Sequence, residues 1–570
     1  MIDLRHKWPI IVIAFLLLAL LVSVNFGTPF LAGRWPSLSR GIDLAPISAH
    51  FLPVQMTSRP LTTEDNKCSG HFVSHALPHT TTTADGIVRS FAANGAGLAV
   101  NDLDNDGVLD LVLGAEVGAN TVLWNNGDLT FTKTTFGEGP TRAVTIIDVD
   151  GDGRRDIVLT TNRGLLHYWH NQGARTFARQ VLPGIAHPAY AINWADLDLD
   201  GDLDLVTASY DAAFLTEIGN EYLLGDSAGV YVYENRNGMF RPTRLASSAQ
   251  ALALALWDID RDGRLDIWVG NDFAVPDYIW LQRADGWQSA NPFAVTSYST
   301  MSLDQGDIDN DGISEFLSAD MNPYETSPAT LAQWLPVMNE MERGARLRND
   351  PQTMANALQH WQNGHWQEIA TARGVRATGW SWTSRFGDLD NDGFLDLYVV
   401  NGMIETGTFG YLPNHELVEE NQIYRNDGQG YFVAMPAWQL GATQSGRSMV
   451  MADLDHDGDL DVVINNLRAA AQLMENQLCR GRTLLVTLQW LATQNRDSIG
   501  AKVQLTTSVG VMSRDVRAVS GYLSGDAPTL HFGLPLHATV TALLIEWPDG
   551  MQSRVAPVAP DSDLTIVRAR

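Results

Sequence analysis

The chain has 570 residues, of which 66 are acidic and 38 basic, giving a formal charge of -28, and 45% are hydrophobic. That much apolar material excludes a disordered acidic tail, and so negative a surface without a compensating basic patch excludes a nucleic-acid binder. There is enough chain for one large folded domain and a smaller one.

Arg5, His6 and Lys7 precede an apolar run from Ile10 to Val24, flanked by Trp8 and Phe26. As a helix the run spans ~22 Å and its flanks extend this to ~28 Å, close to a bilayer core. A cleaved signal peptide and an uncleaved anchor both fit residues 1–26; the lack of an A-x-A site or lipobox cysteine favours the anchor. Basic residues on the amino side place the remainder outside the cytoplasm. Residues 27–69, rich in Pro, Ser and Thr, read as a tether.

A short pattern, D-x-D-x-D-G-x-x-[D/E], then occurs seven times. Its acidic positions are Asp102, Asp104, Asp106 and Asp110; Asp148, Asp150, Asp152 and Asp156; Asp196, Asp198, Asp200 and Asp204; and Asp258, Asp260, Asp262 and Asp266. Three more copies hold Asp307, Asp309, Asp311 and Glu315; Asp388, Asp390, Asp392 and Asp396; and Asp453, Asp455, Asp457 and Asp461. Carboxylates at positions one, three and five converge only if the chain turns back tightly, and the glycine at position six supplies the positive φ for it. Four such groups in nine residues repel one another unless a cation sits among them, and an all-oxygen set suits calcium, up to seven ions in all. An EF-hand would need a bidentate Glu at position twelve, where Leu113, Leu159, Thr207, Val269, Ser318, Val399 and Ile464 stand. Seven ions would cancel half of the net charge of -28.

Apolar or alternating runs precede and follow each loop, as in 144–147 and 155–159 or 252–256 and 265–269, so the loop joins two strands. A third strand ending near an aromatic and a polar turn follows at 122–127, 166–171, 230–235 and 422–428, and a fourth at 129–133 and 176–181. Four short strands per repeat predict a propeller blade. Loop starts 46, 48, 62, 49, 81 and 65 residues apart predict seven blades with insertions, over residues 70–480. The stretch 71–77 resembles a fourth strand with no blade of its own, and is expected to pair beside 472–476 and complete the seventh. That pairing would bring Cys68 and Cys479 to one junction, where a disulfide would clasp the ring; two unpaired thiols near the domain ends are the plainer alternative.

The period is interrupted at about 322–379. Residues 330–348 look helical, with Leu331, Trp334, Leu335, Met338 and Met341 near one face and Pro336 expected to kink or split the helix; 357–370 resume as a hairpin. Trp124, Trp169 and Trp280, at fixed strand positions, are expected to pack between blades. Residues 481–570 read as a small β-sandwich or barrel-like domain with strands near 484–488, 502–505, 513–519 and 540–547.

Catalytic signatures are lacking. The run His415-Glu416-Leu417-Val418-Glu419 has no second histidine for zinc, and no G-x-S-x-G elbow occurs.

The seven loops resemble the FG-GAP or VCBS repeats of the integrin α-subunit propeller. The stretch 379–382 leading into 386–393 is similar to one in the cartilage acidic protein-like family, and 495–503, 520–524, 530–534 and 545–550 resemble the ASPIC/UnbV domain that follows the propeller there. In integrins only some blades carry the calcium loop, whereas all seven carry it here. The resemblance implies an all-β, extracytoplasmic, calcium-binding propeller used in adhesion or recognition, and supplies no ligand. The expected role is therefore a membrane-anchored recognition module for a protein or glycan, engaged through the face opposite the loops or the 322–379 insertion. A calcium-dependent polysaccharide-processing lyase or hydrolase is the alternative.

Overall fold

The computed structural model describes residues 51–570 apart from 62–66, 163, 220–221, 223–227, 274, 343–350, 556 and 570. The expected leader and most of the expected tether lie outside the described residues. Among the described residues no helix is long and apolar enough to cross a membrane.

The fold is all-β, and each acidic loop joins the first two strands of its own antiparallel sheet. The pairs are Leu98–Asn101 with Asp110–Leu113, Thr141–Ile147 with Asp156–Thr161, Ala191–Ala195 with Asp204–Ala208, and Ala251–Trp257 with Asp266–Asn271. Ser302–Gly306 with Glu315–Ala319, Gly379–Gly387 with Asp396–Asn401, and Gly446–Ala452 with Asp461–Asn466 complete the set. Burial follows strand order: Thr141–Ile147 is buried throughout, whereas the fourth strand Phe131–Glu138 is mostly exposed or half-buried. This gradient is why first and second strands read as continuous apolar runs. The first strands touch their neighbours in sequence, and Gly446–Ala452 touches Leu98–Asn101, an order consistent with a propeller.

The strand expected from 71–77 is Phe72–Thr80, paired antiparallel with Ala470–Asn476 in the register Phe72 to Asn476 and Ala76 to Gln472. Cys68 and Cys479 are joined in a disulfide, with their Cα atoms 5.5 Å apart. The bridge ties the outermost strand of one sheet to chain 411 residues away. Replacing both cysteines by serine is expected to lower stability by about 2–5 kcal/mol, read as a shift of the denaturant midpoint at unchanged slope.

Aromatic side chains fill the gaps between sheets. Trp124 stacks on Phe177 at 6.1 Å and Trp169 meets Phe136 edge-on at 5.4 Å, both from first sheet to second. Trp280 is buried in the cluster that also holds Trp194, Tyr233 and Phe240 of the third sheet, with Tyr278 of its own strand 5.4 Å away.

Three features differ from the sequence expectations. Gln55–Pro60, inside the expected tether, is a strand paired antiparallel with Ser562–Arg568; all six of its residues are exposed, so no alternation marks it. The helix of the insertion is not split at Pro336 but runs on as Pro328–Glu342. Trp334, fully buried and 5.6 Å from Trp380, pins that helix, while Leu335, expected on its apolar face, is exposed. The expected strand 513–519 ends at Asp515, and the chain turns into a hairpin, Val519–Ser520 with Ser524–Gly525.

That hairpin leaves the C-terminal domain, whose two four-stranded sheets are Gln55–Pro60, Ser562–Arg568, Arg482–Trp490, Leu530–Leu534 and Val511–Asp515, Lys502–Thr507, Val540–Glu546, Gln552–Val555. It enters among the first strands of the seven sheets and pairs in parallel with Leu98–Asn101. Close approach demands glycine here: a Cβ on Gly97 would lie 2.5 Å from the Leu523 carbonyl oxygen, and one on Gly525 2.8 Å from the Ala99 Cβ. From the other end the segment 84–94 covers the same axis, with the Phe91 ring 5.2 Å from Tyr210 and the Arg447 Nε donating to the Ala93 carbonyl.

Candidate metal centre

Each acidic loop is held by the same few main-chain bonds. Position six is in the left-handed region throughout, from φ +87° at Gly263 to +95° at Gly201 and Gly393. Position four is left-handed as well, at Asn105, Gly151, Leu199, Arg261, Asn310, Asn391 and His456; glycine, asparagine and histidine enter this region readily, whereas Leu199 and Arg261 adopt it because the turn compels it. The double reversal points the N–H groups of positions five and six at the carboxylate of position one, as when Asp106 and Gly107 donate to Asp102 at 3.1 and 3.0 Å. Position nine takes the N–H of position two, Leu103 to Asp110 at 3.1 Å, and its other oxygen takes the N–H at the end of the third strand, Asn125 at 2.9 Å. Asn171, Asn235, Gln282, Asn426 and Asn476 do the same for Asp156, Asp204, Asp266, Asp396 and Asp461.

These amides also bind one sheet to the next. The Asn125 side chain donates to the Leu454 carbonyl at 2.7 Å, Asn171 to Leu103 at 2.8 Å and Asn426 to Ile308 at 2.7 Å, in each case the position-two carbonyl of the preceding loop. Position four links the loops again: Asn105 donates to the Gly153 carbonyl at 3.1 Å and Asn310 to Gly393 at 3.0 Å, and His456 of the last loop lies 3.1 Å from the Gly107 carbonyl of the first. Sequence reasoning missed all of these residues. Their signal is positional: an Asn or Gln fifteen or sixteen positions past position nine in four of the loops.

In the first three loops the structure brings predicted carboxylates together three at a time. Ligand atoms of Asp102, Asp104 and Asp110, of Asp148, Asp150 and Asp152, and of Asp196, Asp198 and Asp204 lie within 4.8 Å of one another. At position three the outer oxygen meets an arginine, Arg175 on Asp104 at 2.6 Å and Arg425 on Asp390 at 2.7 Å. The inner oxygens Asp260 Oδ1, Asp309 Oδ1, Asp390 Oδ1 and Asp455 Oδ1, with Asp453 Oδ1, are buried without a hydrogen-bond partner. A buried carboxylate oxygen with no donor is costly, and the turns already use the nearby N–H groups, so the donor set fits a hard divalent cation. Without one, burial pushes the carboxyls of Asp110, Asp196, Asp204 and Asp266 up to about 7 and Asp453 to about 8, and neighbouring carboxylates push them the same way.

The C-terminal domain lies on the face that carries these loops. Gln494 and Asn495 donate main-chain bonds to the Gly201 carbonyl at 2.8 and 2.9 Å, and Arg155 pairs with Asp497 at 2.7 Å. Thr483 and His531 meet the Gly458 carbonyl at 2.5 and 3.0 Å. A cavity of about 670 Å³ remains between the two, walled by Asp102, Asp388 and Asp453 on one side and Arg514, Arg517 and His531 on the other.

The FG-GAP-like repeat family matches residues 102–159, 148–207, 258–318 and 414–464, and the ASPIC and UnbV family matches 492–570. The chain joins FG-GAP-like repeats to a C-terminal ASPIC and UnbV domain. The repeat matches fall on the acidic loops and the strands around them, and the ASPIC and UnbV match includes the hairpin that enters among the first strands. No curated protein matches the chain. Among solved structures it is similar to BBS1N in complex with ARL6DN, soaked with mercury, at 8% identity and a TM-score of 0.38 over 72% of this chain and 98% of that one. The lead-soaked form of the same complex gives 8% identity and a TM-score of 0.39 over the same shares.

Proposed function

We propose that the chain is an extracytoplasmic recognition or adhesion module for a protein or glycan, built as a closed seven-bladed propeller whose loops bind calcium. What carries this reading is the division of the surface. The ASPIC and UnbV domain covers the acidic loops, whereas Ile87, Val117, Leu215, Phe273, Leu335 and Tyr411 are exposed apolar side chains on connections that all emerge on the opposite side. Set on the helices and turns of these connections, they give anchors to a partner while the loops behind them stay structural. The disulfide and the basic, apolar leader favour an oxidising compartment outside the cytoplasm, with the leader as membrane anchor.

Residues 51–570, purified in calcium and passed over a glycan array and immobilised extracellular-matrix protein, are expected to bind at least one class. Tyr411→Ala with Phe273→Ala is expected to weaken that binding about ten-fold or more at unchanged melting temperature. Binding that survives the double substitution moves the site elsewhere, and sustained cleavage of any array glycan would replace this reading with the polysaccharide-processing one.

A further inference from the structure

The residue directly across from position nine, on the third strand, differs from loop to loop: Trp124, His170, Glu234, Leu281, His360, Arg425 and Glu475. In the fifth loop a histidine partner meets an unusual position nine. Glu315 stands where the other six loops have Asp, and its longer arm carries Oε1 past the strand to the His360 Nδ1, 2.7 Å away. Oε2 keeps the usual bond from the position-two N–H, Ile308, at 3.1 Å. Ligand atoms of Asp309, Glu315 and His360 lie within 4.8 Å of one another, with the Glu315 side chain fully buried and His360 12% exposed. Asp309 adds a buried oxygen, Oδ1, that has no partner, while its Oδ2 faces Arg373 at 3.8 Å.

Resting on the reading of these loops as cation sites, we propose that the fifth loop is a mixed carboxylate and imidazole site that takes a first-row transition-metal dication in preference to calcium. Calcium is bound by oxygen alone in such loops, and an imidazole nitrogen in the ring shifts preference towards manganese, cobalt, nickel or zinc. A metal between them would take the place of the 2.7 Å contact of His360 Nδ1 with Glu315 Oε1, and Asp309 Oδ1 would gain the partner it lacks. The second loop also gathers a histidine, with ligand atoms of Asp150, Asp156 and His170 within 4.8 Å of one another and His170 Nδ1 3.2 Å from Asp156, but there the Tyr168 hydroxyl lies 3.1 Å from Asp156 and 3.2 Å from the same nitrogen, and the Asn171 N–H already occupies one Asp156 oxygen. The fifth loop has no such competitor for its imidazole among the described residues.

Cobalt serves as the probe. The chelator-stripped protein, loaded with Co²⁺ and dialysed against a large excess of calcium, is expected to retain about one cobalt per chain with the visible bands of a nitrogen-containing ligand set. His360→Asn is expected to lose that cobalt about ten-fold more readily while keeping the calcium-induced rise in melting temperature, and His170→Asn is expected to retain it. Should His360→Asn fail to fold, imidazole-nitrogen coupling in the electron spin-echo spectrum of Mn²⁺-loaded wild type and His170→Asn protein supports the site, and its absence overturns it. Cobalt removed from the wild type by calcium, or held equally by His360→Asn, also overturns it. A protein that ignores calcium yet holds cobalt through His360 would instead overturn the calcium reading and leave this one standing.

Discussion

If the loops bind calcium as proposed, removing divalent cations with a chelator is expected to lower the melting temperature by about 10 °C near pH 8 and by much less near pH 5. A loop with a dissociation constant of about 10⁻⁴ to 10⁻³ M gains about 1–2 kcal/mol at about 5 mM calcium, and seven loops together about 10 kcal/mol. Unfolding entropy for a chain this long is about 1 kcal/mol per degree, which sets the size of the shift. The pH dependence follows from the loop carboxyls, which burial holds near 7 at Asp110, Asp196, Asp204 and Asp266 and near 8 at Asp453. A carboxyl raised by folding contributes stability that is complete below its unfolded value near 4 and is lost as pH rises through the folded value. The cation-free protein therefore pays for these groups as pH climbs from about 4 to 8, most steeply between the unfolded and folded values and levelling off above about 7. Bound calcium removes that cost, so the two melting curves separate across the same window. Curves that coincide at pH 8, or a separation that ignores pH, would defeat the assignment of these loops to cations.

What the sequence makes legible is whatever repeats locally. The acidic positions, the glycine at position six and the flanking apolar runs recur in phase, so the strand, loop and strand unit and its closure by 71–77 follow from pattern. The single-use contacts are hidden. Gln55–Pro60 has no apolar face to announce a strand, because one side pairs with Ser562–Arg568 and its side chains stay in solvent. Leu199 and Arg261 give no hint that position four is left-handed, since the loop forces a conformation these residues do not favour. The placement of the C-terminal domain over the acidic loops is equally silent: it depends on carbonyls such as Gly201 and Gly458, which every sequence contains. Asn125, Asn171 and Asn426 fall where turn residues are expected, so their second role, tying each loop to the sheet beside it, is masked by their first.

Tyr522→Ala is expected to cost about 3–5 kcal/mol, as for other large aromatic truncations in a packed interior, and to separate what unfolds as one transition into two. Tyr522 is fully buried at the tip of the hairpin, its ring 5.1 Å from Trp382 and its hydroxyl donating to the Asn94 carbonyl at 3.0 Å. It thus touches the sixth sheet, the segment that covers the axis from the other end, and through the Tyr190 hydroxyl the approach to the third sheet. Beside it Gly521 donates to the Leu303 carbonyl of the fifth sheet at 2.8 Å. One side chain from the C-terminal domain is therefore the common neighbour of strands that otherwise meet only pairwise. Tyr522→Phe keeps the ring and removes the hydroxyl's bonds to the Asn94 carbonyl and to Tyr190, a loss of about 1–2 kcal/mol. If packing at the axis couples the two domains, calorimetry will show one peak for the wild type and for Tyr522→Phe and two for Tyr522→Ala. A single peak in Tyr522→Ala, shifted by less than the phenylalanine variant, would mean that the domains are coupled through the acidic face alone.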